Sequence, residues 1–313
     1  MMLNNRIVFL NGDYVAWDHA TVHIMSHSFG RGSAIFEVLD LLNTDDGQFI
    51  FRLDEHINRL FKTADLLDME LPLSRKDFHE AVRNTVKKNG LRQGFIKIVG
   101  YYPQISFEIF PPQKKLDVAI FIVDPAKDLV DQDFSFERGS TVCVSKWAKL
   151  DPRTVPIEAK VAANYLNGMM ARGEAARRGF DYTIMLDTRG FIAEGGTESV
   201  FLVKDGRLMT PSLGTVLDSI TRKSILQASA VIGIETFEGQ LLPELLYEVD
   251  EIFLSGTLAK ALPVRQIEDR LIEGTPGPLT REISVLMDEI VSGRDNRFKG
   301  WLFPVGEKGE HII

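Results

Sequence analysis

Two hydrophobic periods alternate along this chain, and they confine it to a fold that mixes sheet with helix. Arg6 to Leu10 and Tyr14 to Trp17 read as short strands joined by the turn Asn11-Gly12-Asp13, and Phe36 to Leu42 and Phe49 to Arg52 flank a second turn at Asp45-Asp46-Gly47. Gly47 can take the positive φ that a hairpin turn demands. The spacing then becomes helical. An apolar stripe at Ile57, Leu60, Phe61 and Ala64 predicts a helix from about Asp54, and Phe78, Val82 and Val86 predict another from about Ser74, stopped by Gly90. Strands return at Phe95 to Tyr101 and Val118 to Val123. Further on, Thr141 to Trp147, Asp181 to Leu186, Ser199 to Val203 and Glu251 to Ser255 read as strands, interleaved with helices near Asn164 to Arg178 and Thr221 to Ile232. No repeat of fixed period is present, which sets aside solenoids and arrays.

At 313 residues the chain exceeds the size at which one core usually stops growing, so two domains are expected. The polar, weakly patterned stretch from Asp124 to Asp133 marks the join. We place an N-terminal α/β domain at 1–123, a linker at 124–134 and a C-terminal domain of mixed α and β at 135–313. Apolar residues at 44% and charged residues at 26% are the balance of a globular protein. Acidic residues outnumber basic ones, 44 to 36, without any Lys- or Arg-rich block, so no nucleic-acid partner is expected. The single cysteine, Cys143, lies in the alternating run Thr141-Val142-Cys143-Val144 and reads as a buried strand residue. Met1-Met2-Leu3-Asn4-Asn5 offers neither a basic nor a long apolar leader, and no segment reaches about 18 uninterrupted apolar residues, so a cytoplasmic location and no membrane contact are expected. The histidines at i, i+4 spacing, His19/His23 and His23/His27, fall in a segment that reads as strand and loop, so no metal site is expected.

Four clusters stand apart from ordinary strand and helix material. In Pro156-Ile157-Glu158-Ala159-Lys160-Val161-Ala162-Ala163-Asn164-Tyr165, one lysine sits among small and apolar residues ahead of a helix. A desolvated lysine loses pKa, and its neutral amine attacks aldehydes, whereas most lysines simply lie at the surface. Gly190-Phe191-Ile192-Ala193-Glu194-Gly195-Gly196-Thr197 puts the Glu194 carboxylate at a strand end, where it suits a pyridine nitrogen but equally an ordinary turn. Leu217-Asp218-Ser219-Ile220-Thr221-Arg222 opens a helix and offers free amides and a hydroxyl to a phosphate, or a plain helix cap. Leu254-Ser255-Gly256-Thr257-Leu258 presents amides and a hydroxyl at a strand end, or only a turn. Arg59, projecting off the apolar stripe of its helix, has a guanidinium available to pair with an oxyanion.

Taken in order, Arg52-Leu53-Asp54-Glu55-His56-Ile57-Asn58-Arg59-Leu60, Lys160 with Asn164-Tyr165-Leu166, Ala193-Glu194-Gly195, Ile220-Thr221-Arg222 and Ser255-Gly256-Thr257 resemble the pyridoxal-phosphate-dependent class IV aminotransferases over nearly the whole chain. The likeness is strongest to the branched-chain aminotransferase branch, which Glu174-Ala175-Ala176-Arg177-Arg178-Gly179 and Gly300-Trp301-Leu302 also resemble. It implies a smaller N-terminal α/β domain and a larger C-terminal domain of barrel-like sheet and helices, with pyridoxal 5'-phosphate between them and at least a homodimer. Lys160 would then be the Schiff-base lysine and proton shuttle, Tyr165 the partner of the cofactor's phenolate oxygen, and Glu194 that of its pyridine nitrogen. Arg59, Ile220, Thr221 and Thr257 would hold the phosphate, and Leu217 would pack on the ring. On the substrate side stand Phe36, Gly196 and Gly256, with the amides of Thr257 and Leu258 for the α-carboxylate. Two half-reactions follow: an amino acid displaces Lys160, the freed lysine moves a proton from Cα to the cofactor carbon, and a second 2-oxo acid reverses the steps.

The chain departs from that branch in the segment His27 to Glu37, where Arg31 stands in place of tyrosine and Val38 follows Glu37 in place of glycine. Phe95 and Lys97 replace tyrosine and arginine, Ser199 a common asparagine, and Asp218-Ser219 a common Pro-Gly. Phe95, Lys97 and Val99 share one strand face, so Arg31 and Lys97 could bring one or two cations into an apolar pocket for a substrate carboxylate. The alternative is that both point to solvent. Competing functions on the same fold are a D-amino-acid or R-amine transaminase and an aminodeoxychorismate lyase; a catalytically silent scaffold is the reading from another class.

Overall fold

The computed structural model describes residues 2–128 and 135–306, and the described residues fall into two compact units. One comprises 2–128, 159–163 and 289–306; the other comprises 135–158 and 164–288.

The first unit opens with the hairpin β1 (Ile7–Leu10) and β2 (Asp13–Ala16). A short helix, α1 (His27–Arg31), follows where the sequence reads as strand and loop; Ser26 caps it by accepting the Phe29 N–H, and Gly32 ends it in the left-handed region. Next come β3 (Ile35–Thr44), β4 (Gly47–Phe51), α2 (Leu53–Leu66), α3 (Arg75–Asn89), β5 (Gly94–Tyr101) and β6 (Asp117–Val123). Both longer helices lie where the apolar stripes place them. Ser74 and Asp77 cap α3 reciprocally, and Gly90 closes it at φ 61°. The strands form one antiparallel sheet in the order Leu302–Pro304, β4, β3, β5, β6, β1, β2. On one face Ile35, Leu39, Ile96, Ile98, Ile120 and Ile122 are buried in a common core with Ile57 and Leu60 of α2 and Phe78 and Val82 of α3. Each such side chain contributes about 1.5–3 kcal/mol. The opposite face carries Phe36, Val38, Phe95, Lys97, Val99 and Phe121, all only partly buried. Of the expected linker, Pro125–Asp128 forms the short helix α4, and 129–134 lie outside the described residues.

The second unit contains β7 (Ser140–Val144), α5 (Tyr165–Arg177), β8 (Tyr182–Ile184), β9 (Ser199–Lys204), β10 (Arg207–Pro211), α6 (Ile220–Val231), β11 (Thr236–Gly239), β12 (Glu251–Ser255), β13 (Leu262–Ile267), β14 (Arg270–Leu271) and all but the last turn of α7 (Pro278–Val291). Its sheet runs β11, β10, β9, β12, β13, β7, β8, with β14 paired to β13. The pairs β10/β11, β13/β7 and β7/β8 are parallel. Val142, Ile184, Val200, Leu202, Ile252 and Leu254 fill its core, and Cys143 is fully buried within β7, as its place in the alternating run implies. The expected strands and helices are present, whereas β10, β11, β13, β14 and α7 have no counterpart in the sequence reading.

Candidate active site

Lys160 lies just after a turn, in a segment whose Val161 bridges to Ile35 at the start of β3. Ala162 N–H donates to the Ala34 carbonyl at 2.8 Å, Phe36 N–H to the Lys160 carbonyl at 3.1 Å, and Lys160 N–H to Thr63 Oγ1 at 3.1 Å. Buried Ala159 and Val161 flank it, so the backbone is fixed while the ε-amine extends over the half-buried sheet face. Its Nζ stands 4.7 Å from the centre of the Phe36 ring, and Lys97 Nζ stands 5.1 Å from the same ring. Two lysines thus share one aromatic side chain. Burial, and then the charge of Lys160, lowers the pKa of Lys97. Lys97 has no carboxylate partner among the described residues.

Arg59 departs from expectation in its surroundings. It is buried, and its guanidinium is engaged: Nε donates to Glu37 Oε1 at 2.7 Å and Nη2 to Glu37 Oε2 at 2.6 Å. His56, one turn earlier on α2, places Nδ1 2.7 Å from the same Oε2. The cause is the register of β3, which turns Glu37 toward the helices while its neighbour Phe36 faces the other way. Burial alone would push the Glu37 carboxyl up, but the charge and hydrogen bonds of Arg59, aided by His56, hold it at about 2. Burial, with the Arg59 charge, lowers the pKa of His56 against the pull of Glu37. Sequence reasoning missed Glu37; the available signal was that His56 and Arg59 share the apolar side of a helix, where ionisable groups need a partner.

Arg31 and Lys97 part company. Arg31 is exposed, and its Nη2 donates to the Phe107 carbonyl at 2.6 Å, so it fastens the loop that also receives His27 Nε2 at the Ile109 carbonyl, 3.1 Å away.

In the second unit Glu194 is buried at the end of its bridge to Ser199. Its Oε2 accepts the Leu217 N–H at 3.0 Å, and its Oε1 meets Nζ of Lys149, itself buried. Leu217 is thereby tied to the carboxylate, and Lys149 is a second participant the sequence reading missed; a lone lysine after a strand carries no signal of its own. Ser219 caps α6, its hydroxyl accepting the Arg222 N–H at 3.3 Å and its carbonyl the Lys223 N–H at 2.9 Å. The amides of buried Ile220 and Thr221 head the same helix, positions whose N–H groups no helical carbonyl can reach. Arg222 takes no part, being buried against the Pro211 carbonyl and Glu238. Tyr165 is the first residue of α5. Gly196 packs on that helix, since a Cβ there would lie 2.6 Å from Arg172 Cγ, and one on Gly168 would lie 2.1 Å from the Gly196 carbonyl. Beyond β12, Gly256 N–H donates to the Ala259 carbonyl at 2.8 Å, and the Thr257 carbonyl accepts Lys260 Nζ at 2.9 Å, which leaves Leu258 exposed at the turn. Among the described residues no group of three or more His, Cys, Asp or Glu could hold a metal ion, and no helix is long and apolar enough to cross a membrane.

The class IV amino-transferase family model matches residues 34–267. The branched-chain-amino-acid aminotransferase of Salmonella typhimurium is 33% identical over 300 residues, 95% of this chain and 97% of that protein. The branched-chain aminotransferase of Thermoproteus uzoniensis, solved with norvaline, superimposes with a TM-score of 0.90 at 31% identity, covering 96% of this chain and 99% of that one. A branched-chain amino acid aminotransferase from T.th., solved in complex with N-(5'-phosphopyridoxyl)-L-glutamate, does so at 0.90 and 30%, with the same coverage. Similarity of this kind does not favour the lyase or the D-amino-acid and R-amine alternatives. Taken unit by unit, the donors suit pyridoxal 5'-phosphate: in the first an amine on a fixed backbone, and in the second a buried carboxylate and a helix N-terminus presenting amides. The chain belongs to the class IV aminotransferases and is a pyridoxal-phosphate-dependent aminotransferase.

Proposed function

We propose that the protein exchanges amino groups between branched-chain or similar amino acids and 2-oxo acids, and that Lys97 receives the second carboxylate of a substrate that carries one. The observation behind this reading is the sheet face on which Phe36, Val38, Phe95 and Val99 surround a cation with no carboxylate of its own among the described residues. An aliphatic side chain suits the apolar part. An acidic one suits Lys97. The norvaline and L-glutamate derivatives bound by the two solved relatives span both kinds.

When bound, pyridoxal 5'-phosphate supplies an aldehyde and a cationic ring that stores the electron pair released at the substrate Cα. Lys160 Nζ would be the point at which the cofactor is held, and its amine would carry the proton taken from the substrate Cα. Glu194 would receive the ring N–H, Tyr165 would donate to the phenolate oxygen, and Leu217 would pack on the ring. Arg59, the α6 amides of Ile220 and Thr221, and Thr257 receive the phosphate; Glu37 holds Arg59 in place. The amides of Thr257 and Leu258, beside Gly256 and Gly196, take the α-carboxylate. Arg31 serves the substrate by holding the 107–109 loop rather than by direct contact.

A homodimer completes this reading. Val22, Ile24, Phe29, Ile105, Phe107 and Phe110 are exposed, Phe107 at 81% and Phe110 at 80%, and the Ser26 to Ile105 bridge ties their loops together. So concentrated an apolar surface suits a second copy of the chain. Sedimentation at the mass of two chains is expected, and a monomer would exclude it. The substrate reading is tested by titrating the yellow enzyme with L-leucine, L-valine, L-glutamate, their D-forms and an R-amine. Loss of the visible band with the L-amino acids is expected. Response to the D-forms or the R-amine alone overturns it, as does full turnover by Lys160→Ala.

A further inference from the structure

Glu194 and Lys149 make an ion pair in a place where stability alone gives little reason for one. Both side chains are buried, at 11% and 9% exposure. The desolvation of two such charges commonly offsets their attraction, so an apolar pair of similar volume would hold the fold about as well. The backbones on both sides are fixed. Lys149 N–H donates to the Leu186 carbonyl at 2.7 Å, the Ala148 carbonyl accepts Asn167 Nδ2 at 3.0 Å, and Met185 N–H donates to the Glu194 carbonyl at 2.9 Å. The lysine therefore reaches the carboxylate from a rigid base. Its ammonium contacts Oε1, while the Leu217 amide takes Oε2. A carboxylate has about four acceptor positions, so one remains on each oxygen.

We propose that Lys149 is a positioning residue for the known reaction: with the Leu217 amide it fixes the Glu194 carboxylate in one rotamer and leaves its remaining lone pairs open to the N–H of the cofactor ring. Lys149 has this role only if Glu194 receives that N–H, a reading on which it rests. An ammonium suits the task because it is a point charge that satisfies one oxygen without covering both, as a guanidinium fork would.

The test is a double-mutant cycle on cofactor binding, read from the dissociation constant of pyridoxal 5'-phosphate with the apoenzyme and from the position of the bound cofactor's visible band. K149M is expected to weaken binding by about tenfold to a hundredfold, the loss of one hydrogen bond to a charged group, and to shift the band. K149R, which keeps the charge but whose fork can cover both oxygens, is expected to fall between K149M and wild type in both readouts. In an E194Q background K149M is expected to add nothing. Should K149M fail to fold, K149Q, a donor without the charge, takes its place in the cycle. Wild-type affinity with an unshifted band in K149M overturns the proposal, and so does equal weakening in the wild-type and E194Q backgrounds. Wild-type affinity and band in E194Q itself would instead remove Glu194 from the ring nitrogen, a separate failure that takes the role of Lys149 with it.

Discussion

Two buried carboxylates, Glu37 in the first unit and Glu194 in the second, meet their cations differently. Glu37 is covered on both oxygens by the Arg59 fork and again by His56. Glu194 has one lysine on one oxygen and one amide on the other. Exposure does not separate them, because both are buried. The number and shape of the donors does: a carboxylate saturated by a bidentate cation anchors that cation, whereas one held at single points stays an acceptor for a ligand. Glu37 is thus the counter-ion that orients Arg59, and Glu194 is the one proposed above to meet the cofactor.

The largest effect should come from breaking the saturated pair. Glu37→Gln leaves Arg59 buried without its counter-ion and is expected to lower unfolding free energy by about 3–5 kcal/mol in urea melts. A loss under about 1 kcal/mol would place Glu37 among ordinary surface carboxylates. Glu194→Ala sharpens the contrast from the other side. It is expected to cut transamination on the order of 10^2–10^3-fold with a smaller change in stability, the size seen when a preorganised electrostatic group is removed.

Acid provides a third comparison. The Glu37 carboxyl is held at about 2 in the folded protein against an ordinary 4.5, so its contribution is complete above about pH 4.5 and lost as pH falls through about 2. At 1.36 kcal/mol per unit this amounts to about 3 kcal/mol. The lowered His56 acts in the same sense, its contribution being present above the ordinary histidine value and lost as pH falls below it. Acid unfolding followed by circular dichroism should therefore show a steep loss of stability in that window for wild type and a shallow one for Glu37→Gln. The smallest effects concern the substrate side. Lys97→Met is expected to raise KM for L-glutamate about tenfold while altering L-leucine little, the loss of one charge-assisted contact. Arg31→Ala, which loses an exposed contact to the Phe107 carbonyl, should change neither by more than about twofold.

Much of this was legible in the sequence because it is local. The α2 and α3 stripes, the Ser74 and Gly90 stops and the β3/β4 hairpin are written in residues next to one another. Lys160, Glu194, Thr221 and Thr257 stand out through local motifs as well. Long-range pairing left no such mark. Nothing near Lys160 shows that 159–163 dock on Gly32, Ala34 and Phe36, and nothing near Arg59 shows that Glu37, 22 residues away, receives its guanidinium. Lys149 is silent for the same reason: its partner is 45 positions on, reached only once the sheet has formed (194 − 149). Gly300-Trp301-Leu302 belongs to the first unit because Leu302 pairs with Phe51 and Trp301 stacks under Arg52 at 4.4 Å, contacts that cross most of the chain. Helix α7 has no counterpart in the sequence reading; it opens at Pro278, and proline is well tolerated at the first position of a helix.

The most direct measurement is reduction of the yellow holoenzyme with borohydride followed by peptide mapping. A phosphopyridoxyl group on Lys160, and none on Lys97, which contacts the same Phe36 ring, is the result expected here. The label on Lys97, or on neither lysine, would contradict the assignment of Lys160 as the cofactor's point of attachment.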